Sequence, residues 1–317
     1  MKIVLAGGSG QVGTLLAHAL RADGHDVVVL SRGTGPAPWR VVPWDGASLG
    51  PWAIELDGCD AVINLAGRSV NCRYTPANRR EIIDSRVLST RIVGEAISRA
   101  ARPPRTWLQM SSAAVYAHRY DAANDEATGR IGGDEPGVPR TWRFSVDVVR
   151  AWENAFFESA TTSTRRVAMR TAIVMSPDPG GIFDTLLGLV RRGLGGTVGD
   201  GRQMVSWIHD DDFVRAVRWL LERAEVDGVV NVTSPNAAPN AEFMRDLRKA
   251  WGTPIGLPAS SLVLAMGAWL LGTEPELVLK SRWSAPGRLL EHGFTFTWTR
   301  WADAAVDLCR RWRERRR

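Results

Sequence analysis

The 317 residues predict an α/β fold, a doubly wound parallel sheet with a smaller C-terminal lobe. Three observations carry that prediction. Short apolar runs rich in β-branched residues alternate with helix-periodic segments through at least six units. A glycine-rich turn, Gly7-Gly8-Ser9-Gly10-Gln11-Val12-Gly13, joins the first run to the first helical segment. Beyond Pro177 the alternation loosens into glycine-rich loops and scattered helices, as a second, smaller unit would.

Taken in order, residues 2–6 form the first strand, and the helix after the turn carries Val12, Leu15, Leu16, Ala19 and Leu20 on one face. Residues 26–30 are the second strand. A Gly/Pro-rich connection leads to a third, ending at Val41-Val42-Pro43-Trp44-Asp45. Residues 60–65 are apolar on both faces, as a central parallel strand should be, and stop at Ala66-Gly67. A helix over 76–101, a strand over 106–110 ending at Ser111-Ser112, a helix over 145–159 and a strand over 166–174 continue the series. Then come a helix at 182–192, a strand at 205–210, a helix at 211–224 and a strand at 229–232. Helices near 240–251, 258–271 and 274–280 and a terminal helix from about 300 complete the chain.

Hydrophobic content of 44% with 23% charged residues describes a globular chain with a core. The net charge is +6, and much of the surplus sits in the tail from Arg310 to Arg317. No nucleic-acid motif accompanies that tail, so it reads as a solvated helix end. The apolar run at 262–271 is too short to cross a bilayer and reads as a buried helix. Lys2 leads straight into structure, so no signal peptide is expected. Cys59, Cys72 and Cys309 lack metal-ligand spacing and point to a reducing, cytoplasmic setting. The expected partner is a small-molecule substrate, not nucleic acid or membrane, and the expected state is monomer or homodimer.

The glycines have separate physical jobs. Gly7 permits the tight turn, Gly10 lets a pyrophosphate approach the backbone, and Gly13 lets the helix pack close on the sheet. Unpaired N–H groups of the first helical turn then face the phosphates. The pattern predicts a Rossmann-type dinucleotide site. The second strand ends in Ser31-Arg32 with no carboxylate for a ribose hydroxyl, and a planar guanidinium suits a 2′-phosphate, so the expected cofactor is NADP(H). Residues 1–176, with 203–234 returning to them, form the expected cofactor domain. Residues 177–202 and 235–317 form the expected substrate lobe.

With these features the chain resembles the extended short-chain dehydrogenase/reductase superfamily, above all its branch of nucleoside-diphosphate-sugar epimerases with a DUF1731-type C-terminal segment. Its landmarks are the glycine turn, Asn64-Leu65-Ala66-Gly67, Asp84-Ser85-Arg86-Val87, Arg170-Thr171-Ala172-Ile173-Val174, Gly199-Asp200-Gly201-Arg202-Gln203 and Ser206-Trp207-Ile208-His209-Asp210. Asn240-Ala241-Glu242-Phe243 and Arg288-Leu289-Leu290 follow in the same order. The resemblance implies cofactor contacts from Gly7, Ser9, Gly10, Gln11, Val12, Gly13, Ser31, Arg32, Trp44, Asp45, Leu65, Ala66, Gly67 and Arg86. It also implies a nicotinamide pocket near Ser111, Ile173 and Val174.

Superfamily members use a serine or threonine to hold the substrate oxygen, and a tyrosine with a lysine four residues later to move the proton. Ser112 matches the serine. Counting back from Trp152-Glu153 puts Ser145 at the tyrosine position and Val149 at the lysine position, and Arg86 stands where asparagine is usual. Tyr116, His118 and Tyr120 follow Ser112 closely; they are substitute proton donors, substrate contacts or loop packing, with Tyr116 taken as the catalytic candidate. Arg73, Tyr74, His118, Arg202, Gln203 and Trp207 are the candidate substrate residues. His209 among Asp210-Asp211-Asp212 reads as a strand end followed by a helix N-terminus, not as a metal site. Two functions stay open: an oxidoreductase or epimerase-like enzyme on a small carbonyl or hydroxyl compound such as a nucleotide sugar, and a catalytically silent NADP(H)-binding sensor.

Overall fold

The computed structural model describes residues 1–33, 35–258, 274 and 276–316. In chain order the strands are β1 (Lys2–Ala6), β2 (Asp26–Ser31), β3 (Arg40–Pro43), β4 (Ala61–Asn64), β5 (Thr106–Ser112), β6 (Arg165–Thr171), β7 (Ile173–Met175), β8 (Met204–Val205), β9 (Trp207–His209), β10 (Gly228–Val232) and β11 (Ala238–Pro239). The main sheet runs β10-β6-β5-β4-β1-β2-β3, every pair parallel. Strand order reverses between β1 and β4, so a crevice opens at the carboxyl ends of those two strands.

The helices are α1 (Gln11–Ala22), α2 (Pro76–Arg99), α3 (Arg143–Phe157), α4 (Ile182–Arg191), α5 (Asp210–Glu222) and α6 (Asn240–Trp251). A single turn at Glu276–Leu279, a short helix at Gly287–Glu291 and the terminal helix Trp301–Glu314 follow. Side-chain alternation on β1 divides the core between two faces. Ile3 and Leu5 pack with Leu16 and Leu20 of α1 and Phe213 and Val217 of α5, while Val4 and Ala6 pack with Val93 and Ile97 of α2 and Phe156 of α3. A third core joins α4, α6 and the terminal helix around Phe183, Phe243, Trp207 and Trp301.

The run expected as one strand over 166–174 is two. β6 follows β5 as far as Thr171; Ile173 then turns to pair with Trp207 of β9. The run at 205–210 divides in the same way at Ser206, whose hydroxyl donates to the Arg282 carbonyl and accepts from the Ser284 amide. At the first break the Ala172 amide still bonds Val232 of β10 while the Ile173 amide turns to the Ser206 carbonyl; at the second, Ser206 is held by the segment around Arg282 and Ser284. The helix expected over 258–271, and with it the apolar run at 262–271, lies outside the described residues, and the helix expected over 274–280 shortens to four residues. Five residues were too few to show a helical period at Gly287–Glu291.

The basic tail is docked. Arg313 stacks over Trp251, Arg316 over Trp312, and Arg315 pairs with Asp178. Among the described residues no helix is long and apolar enough to cross a membrane.

Candidate cofactor and substrate site

The crevice begins with the glycine turn, where three glycines are tightly enclosed and one is not. Gly7 has φ +71°, and a Cβ there would lie 2.6 Å from Ala66 Cα. At Gly8 it would meet Leu5 Cβ at 2.8 Å, and at Gly13 the Gly8 carbonyl oxygen at 2.4 Å. A side chain at Gly7 or Gly13 would force backbone apart. Gly10, the N-cap of α1, has nothing within 4 Å of such an atom and opens the space in front of the helix. Val12 is half-buried behind it, and Ser9 is exposed at its rim.

Gln11 turns its amide under Gly181, and its Nε2 is buried without a hydrogen-bond partner among the described residues. A buried donor of this kind costs about 1–3 kcal/mol while unsatisfied, so its position at the mouth of the crevice suits a ligand acceptor. Across the crevice, Asn64 holds the β4 loop. Its Oδ1 accepts from the Ala66 amide at 3.1 Å and its Nδ2 donates to Gln109 Oε1 at 3.0 Å. Leu65 and Ala66 are left half-buried and Gly67 exposed. Arg86 lies beneath Gly67 and over the Trp152 ring, donating to the Arg68 and Ile82 carbonyls. Burial lowers its guanidinium to about 10, and among the described residues no carboxylate pairs with it.

At the end of β2, Ser31 is buried and its Oγ accepts from the Gly33 amide. Arg32 next to it is exposed and makes no hydrogen bond or ion pair among the described residues. Trp44 is buried edge-on to Trp52. Asp45 caps the loop that follows, and the Ser48 hydroxyl with the Ala47 and Ser48 amides lowers its carboxyl to about 2.

The carboxyl ends of β5 and β6 carry a buried polar chain. Ser111 Oγ donates to Glu153 Oε1 at 2.6 Å, and Arg170 grips both oxygens of Glu153 at 2.8 Å. Burial pulls the Arg170 guanidinium down, but Glu153 more than offsets it and the proton is held more tightly than usual. Arg170 also donates to the Tyr116 hydroxyl at 3.2 Å, which donates to Asn231 Oδ1 at 2.8 Å. Tyr116 is therefore 2% exposed, with its hydroxyl engaged and its ionisation raised by burial. Ser112 is half-buried at the end of β5, where its Oγ accepts from the Ala114 amide. Ile173 and Val174, half-buried, follow on the neighbouring strand.

Ser145 and Val149 take the places that the resemblance gives to the tyrosine and lysine. Val149 is buried among Ala113, Val115 and Val146. Ser145 instead meets two groups from the C-terminal segment: it hydrogen-bonds Glu276 Oε1 and lies 3.5 Å from Lys280 Nζ. His118 stands close by, accepting the Ser281 amide at Nδ1, and burial lowers its ionisation. Tyr74 packs edge-on against Phe144, with Arg73 exposed beside it. Arg202, exposed, stacks over Tyr120. Gln203 and Trp207 are brought elsewhere. Gln203 is buried, donating to Val198 and Val278 carbonyls, and Trp207 is enclosed in the third core with its Nε1 on the Asn236 carbonyl.

His209, Asp210 and Asp211 offer ligand atoms within 4.8 Å of one another, but the terminal helix answers them. Arg311 binds both oxygens of Asp210 at 2.7 and 2.8 Å. Asp307 meets His209 Nε2, and His209 Nδ1 caps α5. Glu153, Asn231, Glu276 and Lys280 escaped the sequence reading. For Lys280 a signal was present: of 40 basic residues, lysine supplies only Lys2, Lys249 and Lys280.

Residues 3–233 match the model of the NAD dependent epimerase/dehydratase family. The human Epimerase family protein SDR39U1 is 32% identical over 312 residues, 97% of this chain and 99% of that protein. Among solved structures, human SDR39U1 (isoform 2) with NADPH superposes at a TM-score of 0.85 with 30% identity, covering 98% of this chain and 99% of that one. A nucleoside-diphosphate sugar epimerase from Corynebacterium glutamicum superposes at 0.76 with 27% identity, covering 98% of this chain and 58% of that one.

Proposed function

The chain belongs to the NAD dependent epimerase/dehydratase family, and on that footing we propose that it binds NADP(H) and acts as an oxidoreductase or epimerase-like enzyme on a small carbonyl or hydroxyl compound. The observation that carries this reading is the crevice itself: open at Gly10, closed at Gly7 and Gly13, with a Gln11 amide and an Arg32 guanidinium at its two ends that have no partner among the described residues. These residues fit a dinucleotide, and the similar human structure was crystallised with NADPH. The α1 N-terminus and the glycine-turn amides would hold the pyrophosphate, Arg32 the 2′-phosphate and the Trp44-Asp45 strand end the adenine. Such a cofactor supplies the hydride.

The chain's own part is to position the reacting groups. Ser112 would hold the substrate oxygen at the end of β5. Ser111, Glu153 and Arg170 fix the strand ends beneath it. Residues 177–202 and 235–317 would form the substrate side, with Arg73, Tyr74, His118 and Arg202 toward it. A second reading, a catalytically silent NADP(H) sensor, is favoured by Ser145 and Val149 in place of the proton-transferring pair.

Titration with NADPH and NADH, followed by nucleotide fluorescence, tests the cofactor. Arg32→Ala should weaken NADPH roughly tenfold or more and leave NADH unchanged, because a charged hydrogen bond is lost only with the phosphate. Equal loss for both nucleotides, or no loss, removes Arg32 from the site. Oxidation of NADPH by aldehydes, ketones and quinones, abolished by Ser112→Ala, separates the enzyme from the sensor.

A further inference from the structure

Three groups converge on the Ser145 hydroxyl. Its oxygen lies 3.1 Å from the Trp142 carbonyl, 3.5 Å from Lys280 Nζ and against Glu276 Oε1. The lysine and the glutamate come from 135 and 131 positions along the chain. Lys280 also donates to the Ala114 carbonyl at 3.0 Å, and Ala114 gives its own amide to Ser112 Oγ. The ammonium thus holds the short turn that Ser112, the serine assigned to the substrate oxygen, caps. Among the described residues it makes only these two hydrogen bonds and keeps one N–H to give.

Both newcomers are 3% exposed, and Glu276 Oε2 is buried without a hydrogen-bond partner among the described residues. Buried ionisable groups left incompletely paired cost several kcal/mol, and apolar residues of the same volume would pack there without that cost. The choice of lysine matters as well. In a chain that otherwise relies on arginine, one of three lysines stands here, and a lysine gives up its proton where an arginine does not.

We infer that Lys280 is the proton donor and acceptor for the substrate oxygen held at Ser112, with Ser145 and Glu276 as positioning residues; this rests on the reading of the chain as an NADPH-dependent enzyme. In the reductive direction the carbonyl carbon gains hydride from NADPH and its oxygen gains a proton from the Lys280 ammonium. The neutral amine left behind is recharged from water. The sum is carbonyl, NADPH and one proton giving alcohol and NADP⁺; oxidation runs the same transfers backwards.

The surroundings suit that task. Burial and the Arg282 guanidinium bring the Lys280 ammonium down to about 8, against the pull of Glu276 and Glu135. His118 faces it from the loop after β5, and Tyr74 faces Glu276 and Arg282 from the loop after β4. A proton donor works best when its ionisation lies near the working pH.

Protein carrying lysine labelled with ¹³C at Cε, saturated with NADPH and read by NMR, tests this. One of the three lysine signals, missing from Lys280→Arg, should titrate near pH 8. This titration is read on the wild type, and loss of the other two signals in Lys2→Arg and Lys249→Arg assigns it even where Lys280→Arg does not fold. With 9,10-phenanthrenequinone and benzaldehyde as probes, turnover should fall as pH rises through that midpoint, because the charged amine is the donor. Lys280→Met and Lys280→Arg should each lose about 100-fold or more in kcat while NADPH affinity is unchanged. A Lys280 signal in the ordinary lysine range, or Lys280→Met at wild-type rate, overturns the inference. A wild type that holds NADPH and reduces neither probe overturns it too, in favour of the silent reading. A wild type that does not hold NADPH overturns instead the reading on which it rests.

Discussion

At Gly13 a single methyl group has no room. The added carbon would press on the Gly8 backbone, which cannot swing aside as a flexible side chain would. Gly13→Ala should therefore cost about 1–3 kcal/mol in urea unfolding and weaken NADPH binding in the same protein. Glu153 poses the opposite problem, a charge that must not be left alone. Both it and Arg170 are about nine-tenths buried, so Glu153→Ala strands a guanidinium and should destabilise by about 3–5 kcal/mol. At this scale the glycine turn was legible because its constraint is local. The partner of Arg170 was not, because Glu153 lies 17 positions away on another element.

Among elements, the terminal helix shows how a surface piece becomes structural. Its Trp301 stacks on Phe243 of α6 at 3.8 Å and meets Trp207 of β9 edge-on at 5.3 Å. On its outer turns, Arg311 neutralises Asp210 and Asp307 engages His209. Trp301→Ala should lower stability by about 3–5 kcal/mol and loosen α6 first, which hydrogen exchange would resolve residue by residue. The helix was expected from its periodicity, and its use as a brace on α5 was not. Periodicity shows that a face is apolar, without showing which neighbour covers it. For the same reason the break of the expected strand over 166–174 escaped the sequence: β7 is defined by its partner β9, not by its own residues.

At the scale of the whole molecule, the crevice at the carboxyl ends of β1 and β4 ties ligand binding to folding. A ligand that binds only the folded chain stabilises it by mass action, so NADPH at a hundredfold excess over its Kd should add about 2.7 kcal/mol, read as a higher Tm. Arg32→Ala should blunt that rise for NADPH and leave it intact for NADH. By itself the sequence determined the alternating α/β series and the glycine turn, because each is written in neighbouring residues or a short repeat; that Ser145 and Val149 replace a tyrosine and a lysine is what the resemblance implies. The tertiary structure alone decided that Tyr116 is bound to Asn231 and Arg170, that Trp207 belongs to a core, and that Lys280 and Glu276 stand at Ser145. Those contacts join residues as much as 135 positions apart: the parallel order of the sheet brings Tyr116 to Asn231 and Arg170, and the packing of the C-terminal segment onto α3 brings Glu276 and Lys280 to Ser145.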